Sequence, residues 1–107
     1  MSVVNVLTVK EKRALEHASL SSRGVVAGVA SVILFEKNPD RKLATIINDS
    51  PNVVYLALGP VAIANEGIRL NAQGGAFTFG EYTDFPYFGQ VACIAVAINS
   101  NVILTEV

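Results

Sequence analysis

Residues 41–58 read RKLATIINDSPNVVYLAL, in which two apolar runs flank the segment Asn48-Asp-Ser-Pro-Asn52. Asn, Asp and Ser side chains bond nearby backbone groups and Pro fixes φ, so this segment is typical of a tight reversal. The β-branched and aliphatic runs on either side are typical of strands. The stretch therefore predicts a hairpin between Leu43–Ile47 and Val53–Leu58.

The same pattern of apolar runs and turn residues continues in both directions. Upstream, Val25–Phe35 is predicted to be one long strand, with Gly28 at a bulge or a point of close packing. Downstream, Val91–Ile98 and Val102–Val107 are predicted to pair as a second hairpin across Asn99-Ser-Asn101. Because Val91–Ile98 is apolar on both faces, we expect it to be a central strand. Further short strands are predicted at Ile68–Leu70 and Ala76–Phe79, with a loop or short strand at Val61–Glu66.

Turn residues recur about every 8 to 12 residues over most of the chain, as in sandwiches and barrels. The predicted fold class is all-β, an antiparallel β-sandwich or small barrel of about seven to eight strands. We expect two parts: an N-terminal strand and charged arm at residues 1–23, and the β-sandwich domain at residues 24–107. Lys10–Glu16 carries five charges in seven positions and predicts a polar arm or a short helix.

The composition limits the classes of partner. Apolar residues make up 51% of the chain and charged residues 16%, and a domain of this size buries a comparatively small share of its surface. Self-association is therefore expected, because an interface between copies covers apolar side chains. A net charge of −1 offers no basic surface for nucleic acid or for an anionic membrane. Gly24–Phe35, twelve uncharged residues, is shorter than the roughly 20 that cross a bilayer.

The residues needed for catalysis or metal binding are sparse. His17 is the single histidine, so a site built on several histidines, or on Ser, His and Asp, lacks its parts. Cys93 lies in an apolar run with no positive charge nearby in sequence, which indicates a buried small side chain rather than a reactive thiol. We expect no enzyme activity, no catalytic residues, no metal site and no cofactor.

Two groups of residues are candidates for contacts. The first belongs to the N-terminal arm, whose Val-rich strand either reaches a neighbouring subunit or sheet edge or forms an ordinary first strand of the domain. Its members are Val3, Val4, Val6, Leu7, Arg13 and Leu15. The second is aromatic and either fills a core or subunit interface or stacks on a ligand such as a sugar. Its members are Phe77, Phe79, Tyr82, Phe85, Tyr87 and Phe88.

The order of motifs resembles small β-domain proteins encoded among the structural genes of tailed bacteriophages. The resemblance rests on the string from Arg41 to Gly59, on Gly67-Ile-Arg-Leu-Asn71, on Gly74-Gly75 and on Gly89-Gln-Val-Ala92, with a terminal Thr-Glu-Val107. The aromatic loop Tyr82–Phe88 is longer than in that pattern, and the N-terminal arm lies outside it.

The resemblance implies a virion component, assembled in the host cytoplasm: a capsid decoration or cement protein, a head fibre or a tail-associated protein. It further implies a homo-oligomer, with a trimer favoured, that packs on phage coat or other virion proteins. A different expectation from the residues is a carbohydrate- or receptor-binding module that uses the aromatic loop 82–88.

Overall fold

A computed structural model of the chain describes residues 21–107, which form eight β-strands and no helix. This range accordingly contains no helix of the length and apolarity that crossing a membrane requires. The strands are β1 (Ser21–Ala27), β2 (Val32–Phe35), β3 (Ala44–Asn48), β4 (Val54–Ala57), β5 (Ile68–Leu70), β6 (Ala76–Phe79), β7 (Val91–Ala95) and β8 (Ser100–Glu106).

The strands form two four-stranded sheets, in which every pairing is antiparallel. Sheet I has the order β1-β8-β3-β6, and sheet II has the order β2-β7-β4-β5. Their inner faces enclose a single apolar core. The predicted all-β class and the sandwich architecture are confirmed.

Alternation along each strand explains why these residues become the two inner layers. In β3, Ala44, Ile46 and Asn48 are buried while Thr45 and Ile47 between them are half-buried. In an extended strand, successive side chains point to opposite faces, so every second residue enters the core. The central position predicted for the Val91 strand is confirmed, because β7 lies between β2 and β4.

Both predicted hairpins are wrong. β3 lies in sheet I and β4 in sheet II, so Leu43–Ile47 and Val53–Leu58 do not pair. β7 and β8 also lie in different sheets, so the chain between Val91–Ile98 and Val102–Val107 crosses from one sheet to the other. The turn residues were identified correctly, but a short connection serves a crossing between two packed sheets as well as a return within one sheet.

The predicted single strand Val25–Phe35 is divided in two. β1 ends at Ala27 and pairs with β8, whereas β2 begins at Val32 and pairs with β7 in the other sheet. The break includes Gly28, whose carbonyl oxygen accepts a hydrogen bond from the Ala95 N–H at 2.8 Å. The first described residue, Ser21, already lies in β1. Residues 1–20, including the expected arm and its helix alternative, lie outside the described residues.

β4 and β5 are consecutive strands that do pair within one sheet. The connection between them, residues 58–67, lies against the outer face of sheet II. The Ala62 N–H donates to the Ser31 Oγ at 2.8 Å, and the Tyr55 hydroxyl bonds Asn65 Oδ1 at 3.1 Å. Ala92, which faces outward from β7, is consequently fully buried. Val61–Glu66, left open between loop and strand, is a loop.

The four edge strands differ in length and regularity. β5 and β6 have three and four residues, and β2 has four with a register shift between Ile33 and Phe35. Short or bulged edges of this kind resist pairing with another chain. β1 has seven residues in unbroken register with β8, so it is the longest regular edge among the described residues.

Candidate functional site

The aromatic residues converge at one end of the sandwich, where β6 and the loop after it meet β2. The Phe77 and Phe79 rings stack with centroids 5.4 Å apart, and the Phe85 ring meets Phe77 edge-on at 5.4 Å. Phe85 also stacks against Tyr87 at 6.4 Å. Phe79 is fully buried, whereas Phe85 is 39% exposed. The rings thus form a continuous cluster that runs from the core to the surface.

Arg41 lies fully buried at the base of this cluster. Its guanidinium carbon is 5.0 Å from the Phe79 ring centroid and 5.3 Å from that of Phe35. Contact with two ring faces favours a cation electrostatically, and more strongly where water is excluded. The arrangement places a positive charge inside an apolar end of the domain.

The guanidinium of Arg41 also donates hydrogen bonds to four acceptors. Nε donates to Glu106 Oε2 at 2.8 Å, and this is the one ion pair within residues 21–107. One terminal nitrogen donates to the carbonyl oxygens of Tyr87 and Gly89 at 3.2 and 3.1 Å, and the other to that of Glu36 at 2.8 Å. Because burying an unpaired charge is expensive, these four acceptors are what make the position tenable. Arg41 therefore joins three separate chain segments.

The loop that carries the aromatic residues is held by hydrogen bonds between its own residues. The Gly80 N–H donates to the Phe85 carbonyl at 3.0 Å, and the Tyr87 hydroxyl donates to the Gln90 carbonyl at 2.7 Å. Gly80 has φ +128°, and a Cβ there would lie 2.7 Å from the Lys42 carbonyl oxygen. A side chain cannot be accommodated there without moving the backbone, so glycine is required.

A second buried polar cluster lies at the opposite end of β3. The Asn48 side-chain amide donates to the carbonyl oxygens of Asn52, Leu70 and Asn71 at 2.7, 3.2 and 3.2 Å. Its Oδ1 accepts from the Ser50 hydroxyl at 2.7 Å. Asn48 and Ser50 are both buried. Neutral groups here perform the joining that the charged Arg41 performs at the other end.

Cys93 lies between these two ends, on the inner face of β7. It is fully buried, as predicted, and burial raises the pKa of its thiol from 9.0 to about 11. Desolvation disfavours the thiolate, which is the nucleophilic form. No cluster of three or more His, Cys, Asp or Glu side chains able to hold a metal ion occurs within residues 21–107.

The β4–β5 loop forms an exposed apolar surface. Leu58, Val61 and Ile63 border a cavity of about 360 Å³, and Val61 and Ile63 are 61% and 55% exposed. Gly67, with φ +86°, allows the loop to close over β4, because a Cβ there would lie 2.2 Å from the Leu56 carbonyl oxygen. We call Leu58, Val61 and Ile63 the loop surface.

The structure brings together four of the six predicted aromatic residues. Phe77, Phe79, Phe85 and Tyr87 are in ring contact, and Tyr82 and Phe88 are half-buried in the same loop. The predicted arm contacts Val3, Val4, Val6, Leu7, Arg13 and Leu15 lie outside the described residues.

Sequence reasoning assigned no role to Arg41 or to the loop surface. The signal for Arg41 is a charged residue two positions before the predicted apolar strand Leu43–Ile47. The signal for the loop surface was a pair of bulky aliphatic side chains in a segment that begins with Gly59-Pro60 and needs no core residues.

Comparison of the chain with family models, with curated proteins and with solved structures finds no match. The proposal of a role therefore depends on the geometry of the domain and on the resemblance described above.

Proposed function

We propose that this protein is a non-enzymatic structural component of a phage virion, which associates with copies of itself and packs on coat subunits. The observation that carries self-association is the exposure of large apolar side chains on a domain with few charges. Nine such side chains within residues 21–107 are between 37% and 67% exposed: Val26, Val29, Ile33, Leu58, Val61, Ile63, Phe85, Val96 and Ile98.

Several of these exposed apolar side chains lie close together, which supports contact surfaces rather than isolated exposed residues. Leu58, Val61 and Ile63 share one cavity, with Glu66 as the one charged residue in its lining. Val29 and Val96 lie at one end of the sandwich, where the Ala95 N–H bonds the Gly28 carbonyl oxygen. Contiguous apolar surface is costly in water and is commonly covered by another protein.

The use of the buried polar residues supports a structural role. Arg41 donates to three backbone carbonyl oxygens and to Glu106, and Asn48 donates to three backbone carbonyl oxygens. Groups that are committed in this way fix loops and are not available to a substrate. Placement in a virion is proposed from the motif order, and a trimer is the favoured assembly.

Light scattering on the purified full chain tests self-association. We expect a mass near three times that of the 11.3 kDa chain. The double variant Val61→Asp/Ile63→Asp, which puts two charges on the loop surface, should shift the population toward the monomer. Thr78→Asp, on exposed edge strand β6, is the control and should leave the mass unchanged. A monomeric wild type at micromolar concentration contradicts the proposal.

The carbohydrate- or receptor-binding module is the second candidate, and Phe85 is the observation that favours it. Its ring is 39% exposed and stacks at 19° on Tyr87, which gives a supported aromatic platform. Aromatic faces of this kind bind sugars by stacking. A glycan array probed with the wild type and with Phe85→Ala separates the two candidates. Sugar binding by the wild type that is lost in the variant favours the carbohydrate-binding module, and no sugar binding by the wild type favours the structural component.

A further inference from the structure

The edge of β1 is a seven-residue strand whose outer side no described residue occupies. Its register with β8 runs without interruption from Ser21↔Glu106 to Ala27↔Ser100. In an antiparallel pair, alternate residues direct their N–H and C=O groups away from the partner strand. Within residues 21–107, the outer side of β1 is therefore a regular row of backbone groups without a partner strand.

Among the described residues, no charged side chain projects along the β1 edge to prevent pairing. Apart from Arg23, the strand carries only Ser, Gly, Val and Ala. Charged side chains that project along an edge normally deter pairing. The Arg23 guanidinium is instead turned across the sandwich to the carbonyl oxygen of Leu34 in β2. The same contact occupies a backbone acceptor of the neighbouring edge strand β2. Among the described residues, the β1 edge is therefore open, whereas the β2 edge is partly covered.

Gly24, at the centre of β1, is not required by the domain itself. Its φ lies outside the left-handed region, and a Cβ there would meet the Asn101 side-chain oxygen at 3.5 Å, an ordinary contact. Glycine weakens a strand interior and often marks a site where another backbone approaches closely. The centre of the open edge is thus the least obstructed point of the strand.

The chain itself contains a segment that matches this edge. Val3–Val9 is a seven-residue Val-rich stretch without charge, and residues 10–20 separate it from Ser21. These eleven residues reach about 36–40 Å when extended, while neighbouring strands lie only about 5 Å apart. Hairpin loops are usually about two to five residues long, so this connection fits a reach to another subunit better than a local reversal.

We propose that residues 3–9 of one copy add as a fifth strand to the β1 edge of a second copy. The inference rests on the proposed self-association and adds a second contact to it, beside the loop surface. In full register, Val6 lies opposite Gly24 whether the added strand is parallel or antiparallel, because both are central residues. In the antiparallel arrangement, Val4 lies opposite Val26, which is 64% exposed in the described domain, and Val4 and Val6 cover the outer face there. Repeated donation of this kind is a head-to-tail contact, which forms a ring where the rotation between copies closes.

Disulfide trapping in the full chain tests the proposal. Two differently tagged chains, one with Val6→Cys and one with Gly24→Cys, are co-expressed and oxidised. Opposite residues of paired strands have Cβ atoms about 4.5–5.5 Å apart, close to the separation in a disulfide. We expect a covalent heterodimer as the main product and no covalent dimer from either variant alone. The native Cys93 is fully buried and does not compete.

The controls separate this proposal from its alternatives. Thr78→Cys, at the opposite edge of sheet I, should not cross-link to Val6→Cys. A dimer from Gly24→Cys alone would overturn the proposal in favour of two paired β1 edges. In a chain that carries both Val6→Cys and Gly24→Cys, a disulfide formed only within the chain would overturn the proposal, because residues 3–9 would then pair with β1 of their own copy. If light scattering finds an oligomer but no cross-link forms, strand donation is wrong and the proposed self-association stands. If light scattering finds a monomer, both the strand donation and the proposed function are wrong.

Discussion

The two ends of β3 perform the same task with different chemistry. At one end the charged Arg41 joins the β2–β3 connection, the aromatic loop and the C-terminal strand. At the other end the neutral Asn48 joins the β3–β4 turn to the end of β5. A buried cation needs a counter-ion as well as acceptors, whereas an amide needs acceptors only. Each side chain has four hydrogen-bond partners, but only Arg41 also carries a buried charge and its ion pair, so the loss of the charged end should cost more.

The largest effect is expected from Arg41→Met. The substitution leaves the carbonyl oxygens of Tyr87, Gly89 and Glu36 without their donor, and it removes the ion pair with Glu106. We expect the free energy of unfolding in urea to fall by about 3–5 kcal/mol.

Glu106→Gln is the matched control for that variant. It removes the negative charge but retains an acceptor for Nε, and the Glu106 side chain is 26% exposed, so we expect a loss of only about 1–2 kcal/mol. Equal losses in the two variants would show that the ion pair, and not the carbonyl contacts, carries the stability of this end.

A smaller effect is expected from Asn48→Ala, which removes the amide donor to the carbonyl oxygens of Asn52, Leu70 and Asn71 and the Oδ1 acceptor of the Ser50 hydroxyl. The loss is moderated because the Ser50 hydroxyl still donates to the Asn52 carbonyl and the Gly75 N–H still donates to the Asn71 carbonyl. We expect a loss of about 2–3 kcal/mol by the same urea measurement. Asn101→Ala is the control, because that amide faces outward and makes one long contact of 3.5 Å with Asp49. A cost at Asn48 above that at Arg41 would reverse the comparison between the ends.

The smallest effect concerns Cys93, which reports on the core between the two ends. Folding raises the pKa of this thiol from 9.0 to about 11, so the folded state retains its proton where the unfolded state loses it. The free energy of unfolding should therefore be unaffected by this group below pH 9 and fall as the pH rises from 9 toward 11, by about 1 kcal/mol at pH 10.

Cys93→Ala provides the reference for that measurement, since other groups titrate equally in both proteins. Thiol labelling at pH 8 adds a second readout: we expect wild-type Cys93 to react only through unfolding, and faster in Arg41→Met than in Asn48→Ala. Rapid labelling of the intact wild type would contradict the closed core.

The motif Arg41–Gly59, on which the resemblance to phage proteins partly rests, contains both buried polar residues. Arg41, Ala44, Ile46, Asn48 and Ser50 are all buried, and they extend from one polar end through the core to the other. The motif therefore describes one strand and its two anchoring points. The spacing of these residues is visible in the sequence, but their partners are not. Leu70 lies 22 residues after Asn48, and Glu106 lies 65 residues after Arg41.

The amino-acid sequence by itself determined the all-β class, most strand positions, the central place of β7 and the burial of Cys93. These depend on local alternation and composition, which each segment carries alone. Only the tertiary structure decided that β3 and β4, and likewise β7 and β8, lie in opposite sheets. The physical reason is that a strand's inward face is equally satisfied by the core in either sheet, so the choice depends on distant partners.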